Sequence, residues 1–133
     1  MSTTTAPITS IALSALPAIG ADLDGGIFFG LTTGKDGNHY AATFLPAKSD
    51  KRLPWKKAME WATKQGGALP TRPVAALLFA NLKDKLEPLW HWTSDEEDAS
   101  YAWYCDFIYG GQYDFHKSYE GSVVAVRLIP LTA

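Results

Sequence analysis

The stretch LPWKKAMEWATKQGGALPTRPVAALLFANL, residues 53–82, constrains the fold most, because its punctuation sets two helices back to back. Pro54 suits a first helical turn, where its missing N–H is no loss. Trp55, Ala58, Met59 and Ala62 fall at i, i+3, i+4 and i+7, which makes one apolar face. Lys56, Lys57, Glu60 and Lys64 fall elsewhere on that helix. Gly66 and Gly67 close it with a left-handed cap. Thr71 then serves as the N-cap of a second helix, with Pro73 in its first turn. The body VAALLFANL is apolar nearly all round, which predicts burial. The helices are expected near 54–65 and 72–86, with Pro88 barring further extension.

Strands surround this pair. GGIFFGLTT (25–33) and HYAATFLP (39–46) flank the turn sequence GKDGN, which predicts a hairpin. After the helices come a short strand WHWTS (90–94), a loop DEEDAS (95–100) and a strand YAWYCDFIY (101–109). Gly110-Gly111 predicts another turn, QYDFHKSY (112–119) a return strand, and SVVAVRLIP (122–130) a last, mostly apolar strand. Alternation places Tyr101, Trp103, Cys105 and Phe107 on one face, expected to be core. Ala102, Tyr104 and Asp106 take the other face, which with the following hairpin is left for binding. The pattern implies an α+β fold, two helices packed on a mostly antiparallel sheet.

A chain of 133 residues makes one domain and can bury roughly two-thirds of its unfolded surface without a staple. Cys105 is the single cysteine, so no intrachain disulfide can form, and a buried hydrophobe is expected there. A net charge of −2 leaves no electrostatic footprint for nucleic acid, and the cluster KSDKRLPWKK (48–57) reads as a solvated face. ITSIALSALPAIGA (8–21) is apolar but interrupted by Pro17, and too short for a bilayer, so no membrane insertion is expected. It reads instead as an extended arm, residues 1–24, lying along a partner or a neighbouring subunit of a homo-oligomer. The folded domain then spans 25–133.

The run Asp95, Glu96, Glu97, Asp98 lacks the spacing of a calcium loop, and His39, His91 and His116 lack zinc-ligand spacing. Nucleophile-elbow and phosphate-loop patterns are absent. The expectation is therefore no metal, no cofactor, no catalytic residue and no enzyme activity. Arg72 and Arg127, beside apolar segments, read as ties at the edge of the core. YGGQYDFHKSYEG (109–121) is different. Tyr109, Gln112, Tyr113, Asp114, His116 and Tyr119 interleave rings with hydrogen-bonding groups, a composition suited to gripping a ligand. With Tyr104 and Asp106 from the preceding strand they form the candidate binding set. The same residues also fit an ordinary half-exposed hairpin.

LPWKKAMEWATKQGGALPTR, LLFAN, WHWTS, AWYCDF and VAVRLIP, in that order, resemble the DUF1566 (Lcl C-terminal) family over roughly residues 25–130. The resemblance implies a C-type lectin-like fold, similar to formylglycine-generating enzymes and to the variable receptor-binding proteins of phages. It makes Trp55, Trp61, Gly67, Leu69, Pro70, Thr71, Arg72, Trp92, Thr93, Ser94, Trp103 and Arg127 scaffold positions, and 104–119 the ligand-facing region. Lectin disulfides, calcium motifs and the oxidase cysteine pair are missing from this sequence. The implied role is a non-enzymatic tail or virion protein, made in the bacterial cytoplasm. It would bind a host-surface receptor, such as a glycan, or a neighbouring virion protein. Two further readings stand beside it: a purely structural virion assembly protein docked by its arm, and a cytosolic bacterial ligand-binding domain.

Overall fold

The computed structural model describes residues 7–132. Two helices and two sheets form an α+β fold. In chain order the strands are β1 (Ile11–Ala12), β2 (Asp22–Leu23), β3 (Gly26–Thr33), β4 (His39–Phe44), β5 (Trp90–Glu96), β6 (Tyr101–Asp106), β7 (Gln112–His116) and β8 (Val126–Thr132). The helices are α1 (Trp55–Lys64) and α2 (Arg72–Leu82). The larger sheet runs β1-β8-β4-β3-β2, with the short β1–β8 contact parallel and the rest antiparallel. The smaller sheet, β5-β6-β7, is antiparallel throughout.

One sheet was expected and two are found. The reason lies in SVVAVRLIP, whose first half joins no ladder. Residues 121–125 instead run between the sheets and tie them together singly. Gly121 and Leu53 exchange backbone bonds of 2.9 Å, Trp92 N donates to Ser122 O, and Leu45 N donates to Ala125 O. The ladder of β8 begins only at Val126. Gly121 is required here because a Cβ would collide with the Trp90 ring.

The helices form as the punctuation predicts. Thr71 Oγ1 accepts from Val74 N at the start of α2. Gly66, at φ +84°, supplies the left-handed turn after α1. The span expected to reach 86 breaks after Leu82 into a single 3-10 turn, Lys83–Lys85. Val74, Leu78 and Leu82 of α2 pack with Phe29, Ala42, Cys105, Phe107 and Val126. Each of the valine, leucine and phenylalanine side chains among them contributes about 1.5–3 kcal/mol by leaving water. Trp55, Ala58 and Ala62 of α1 pack with Trp92, Ala102 and Ala125 in a second cluster.

From residue 8 onward the stretch read as an extended arm packs on this chain's own large sheet; residues 1–6 lie outside those described. Ile8, Ile11, Leu16 and Leu23 cover Phe28, Ala41 and Ile129 of the large sheet. Arg127 fixes this cover: it pairs with Asp24 and donates to Ile8 O, while Ile8 N donates to Asp24. Contacts thus run from Ile8 to Asp24 across to the sheet built by residues 26–132. The apolar residues needed a surface, and the chain's own sheet provides it.

Strand β6 departs from a single core face. Cys105 and Phe107 are buried against α2, as expected, but Tyr101 is exposed and Trp103 only half-buried. On the other parity Ala102 is fully buried, with Tyr104 packed beside it in the α1 cluster. The two helices cover opposite parities of the small sheet, so strict alternation assigns core to neither side alone.

Candidate aromatic binding surface

At its edge on the small sheet the α1 cluster takes in Trp90, Tyr104 and Phe115, which are only half-buried. Beyond Trp92 and Ala102, the face opens into rings. Cross-strand pairing sets Tyr104 opposite both Trp92 and Tyr113, and Phe115 opposite Ala102. Side chains of one parity on three strands thus converge. Tyr104 and Phe115 stack at 4.6 Å between centroids, and Trp90 lies 5.0 Å from each. Tyr113 extends the group from Tyr104 at 5.8 Å, and Tyr119 extends it from Phe115 at 5.2 Å. Trp90 stands edge-on to the buried Trp92 at 5.1 Å, and that anchors the surface to the core.

Three half-buried rings, Trp90, Tyr104 and Phe115, thus form a floor. Tyr113 and Tyr119, 58% and 56% exposed, stand at its rim. Partial burial raises the Tyr104 hydroxyl's pKa above its usual 10, with Asp106 adding to the effect, so it stays a neutral donor and acceptor. Such a surface can stack on planar or ring-shaped apolar faces and offer phenol hydroxyls at its edges.

Only part of the expected set meets here. Tyr104, Tyr113 and Tyr119 belong to the surface. Asp106 spends one carboxylate oxygen on Ile108 N, holding the 106–111 turn. Tyr109 sits at that turn and is 86% exposed. Gln112, Asp114 and His116 have the opposite parity on β7 and face the other side. There Gln112 accepts from Arg72 Nε at 3.0 Å and donates to Arg72 O at 2.8 Å. His116 packs edge-on against Tyr101 and bonds Ser118. A contiguous stretch of strand cannot put all its side chains on one face. Trp90 and Phe115 were not in the expected set. Phe115 shares the parity of Tyr113, which is the signal that could have found it, while Trp90 needs the β5–β6 register.

Arg72 is a tie, as expected. Its guanidinium lies 3.6 Å from the Trp103 ring centre, and the Arg72 backbone N–H donates to Asp95 at 2.7 Å. The acidic run is spent on structure: Asp98 accepts from Ser100 N and Tyr101 N, Glu97 from Trp103 Nε1, and Glu96 from Lys117. Among the described residues no group of three or more His, Cys, Asp or Glu side chains could hold a metal ion. Burial pushes the Cys105 thiol up to about 11, so it is not a thiolate at neutral pH. Among the described residues no helix is long and apolar enough to cross a membrane.

No family model and no curated protein matches the chain.

Proposed function

We propose that the protein is a non-enzymatic binding module of a phage virion. In this reading it has a C-type lectin-like fold, and the aromatic surface grips a host-surface receptor. The observation that carries the binding part is the convergence of five rings from β5, β6, β7 and the following turn, two of them largely in solvent. A domain with an adequate core elsewhere has no structural need for Tyr113 and Tyr119 at that rim, and exposed ring clusters are typical of recognition surfaces. Rings flanked by hydroxyls suit a glycan, whose C–H faces stack while its hydroxyls bond. The virion assignment rests on the sequence resemblance alone.

Two experiments test this reading. Immunogold labelling with an antibody to the protein should decorate phage particles at the tail; particles without label contradict the virion assignment. Purified protein should be retained on bacterial envelope extract and displaced by soluble envelope polysaccharide. Retention that polysaccharide leaves untouched would turn the reading towards a neighbouring virion protein as the partner.

A further inference from the structure

The loop between β4 and α1 carries Lys48, Lys51 and Arg52, read from sequence as a solvated cluster. In the fold this loop forms one wall of a cleft of about 310 Å³. The segment Lys85–Leu89 forms the other wall, Phe44, Val123 and Val124 supply apolar lining, and His91 completes it. The cleft is within the size range of small-molecule sites. Lysines and arginine outnumber the two lining carboxylates, Asp50 and Glu87. Among the described residues, none of these four cations is held in an ion pair.

His91 gives the cleft a specific polar group. It is 4% exposed, with its ring against Phe107. Its Nδ1 lies 3.0 Å from Leu89 O. A carbonyl only accepts, so Nδ1 carries the proton and Nε2 keeps a free lone pair. Nε2 has no partner among the described residues, yet no fully buried polar side-chain atom there is left unpaired. Nε2 thus keeps some solvent contact, and His91 is part of the cleft lining.

We propose that this cleft binds a small organic anion, a hydroxylated molecule carrying a carboxylate or a phosphate. His91 Nε2 accepts a hydrogen bond from a ligand hydroxyl. Lys51 and Arg52 on one wall and Lys85 on the other hold the anionic group, and the apolar lining meets the carbon skeleton. Burial lowers the His91 pKa to about 4, which keeps the acceptor form present at neutral pH. The site is separate from the aromatic surface, because Trp90 and His91 are adjacent on β5 and point to opposite faces. It stands whether or not that surface binds a receptor.

The test is the Nε2 resonance of His91 in protein labelled with nitrogen-15, titrated with glucuronate, glucose 6-phosphate and glucose. The two anions separate carboxylate from phosphate, and glucose is the neutral control. Glucuronate or glucose 6-phosphate, at up to about 10 mM, should shift Nε2 saturably and leave Nδ1 nearly unmoved, because millimolar sites fill in that range. Glucose should have no effect. Lys51 and Arg52 are exposed, so the double substitution Lys51→Gln/Arg52→Gln should leave the melting temperature unchanged and weaken binding roughly tenfold or more. An unmoved Nε2, an equal response to glucose, or unchanged affinity in the double variant would overturn the proposal.

Discussion

His91 couples the core to pH. Its imidazole is buried, and its pKa falls from 6.5 to about 4, chiefly by desolvation. The unfolded chain therefore binds the proton more tightly than the folded one between those values. Stability from this group is full above pH 6.5 and is lost as pH falls towards 4. Urea unfolding at pH 7 and pH 5 should differ by about 2 kcal/mol from this group. His91→Gln should remove that difference, whatever it does to stability at pH 7. Trp92 and Trp103 form a second contrast at this scale. Both were scaffold positions by resemblance, but Trp92 is fully buried with its Nε1 donating to Leu53 O, while Trp103 lies under Arg72 at the surface. Trp92→Ala should cost about 3–5 kcal/mol, and Trp103→Ala clearly less, as read by chemical denaturation. Sequence alternation singled out Trp103 as core, because parity says which residues share a face but not where a helix stops covering it.

The helices were the most legible elements, since Pro54, Gly66, Thr71 and Pro73 act locally through backbone geometry that needs no knowledge of the fold. Thr71→Ala should cost about 1 kcal/mol through loss of the N-cap bond to Val74 N. The strands were legible as strands but not as sheets. Pairing depends on contacts distant in sequence, such as Ile11 with Leu131 and Tyr40 with Pro130. The N-terminal stretch shows the same limit: its composition predicts an extended segment in need of a surface, and only the fold shows which surface. Removal of residues 7–23 should expose Phe28, Ala41 and Ile129 and strip Arg127 of its contact with Ile8. A lower melting temperature and aggregation are expected, because the deletion uncovers a continuous apolar face. A truncated chain as stable and monomeric as the parent would contradict that packing.

At the scale of the molecule, two sheets and two helices divide the labour. The large sheet packs its core against the N-terminal cover and α2, and the small sheet presents rings that are half-buried at the edge of the α1 cluster or exposed beyond it. Tyr104, Tyr113 and Tyr119, three of the five rings, were legible, because the density of tyrosines between 104 and 119 marks the hairpin without resolving its two faces. The decisive measurement compares envelope-extract binding and melting temperature for the parent, Tyr113→Ala, Tyr119→Ala and Tyr109→Ala. Tyr113→Ala and Tyr119→Ala should each weaken binding by about 1–2 kcal/mol, since rigid exposed rings carry affinity at low entropic cost. Their melting temperatures should stay near the parent's, and Tyr109→Ala, outside the ring surface, should bind as the parent does. Parent-like binding by both Tyr113→Ala and Tyr119→Ala would contradict the account.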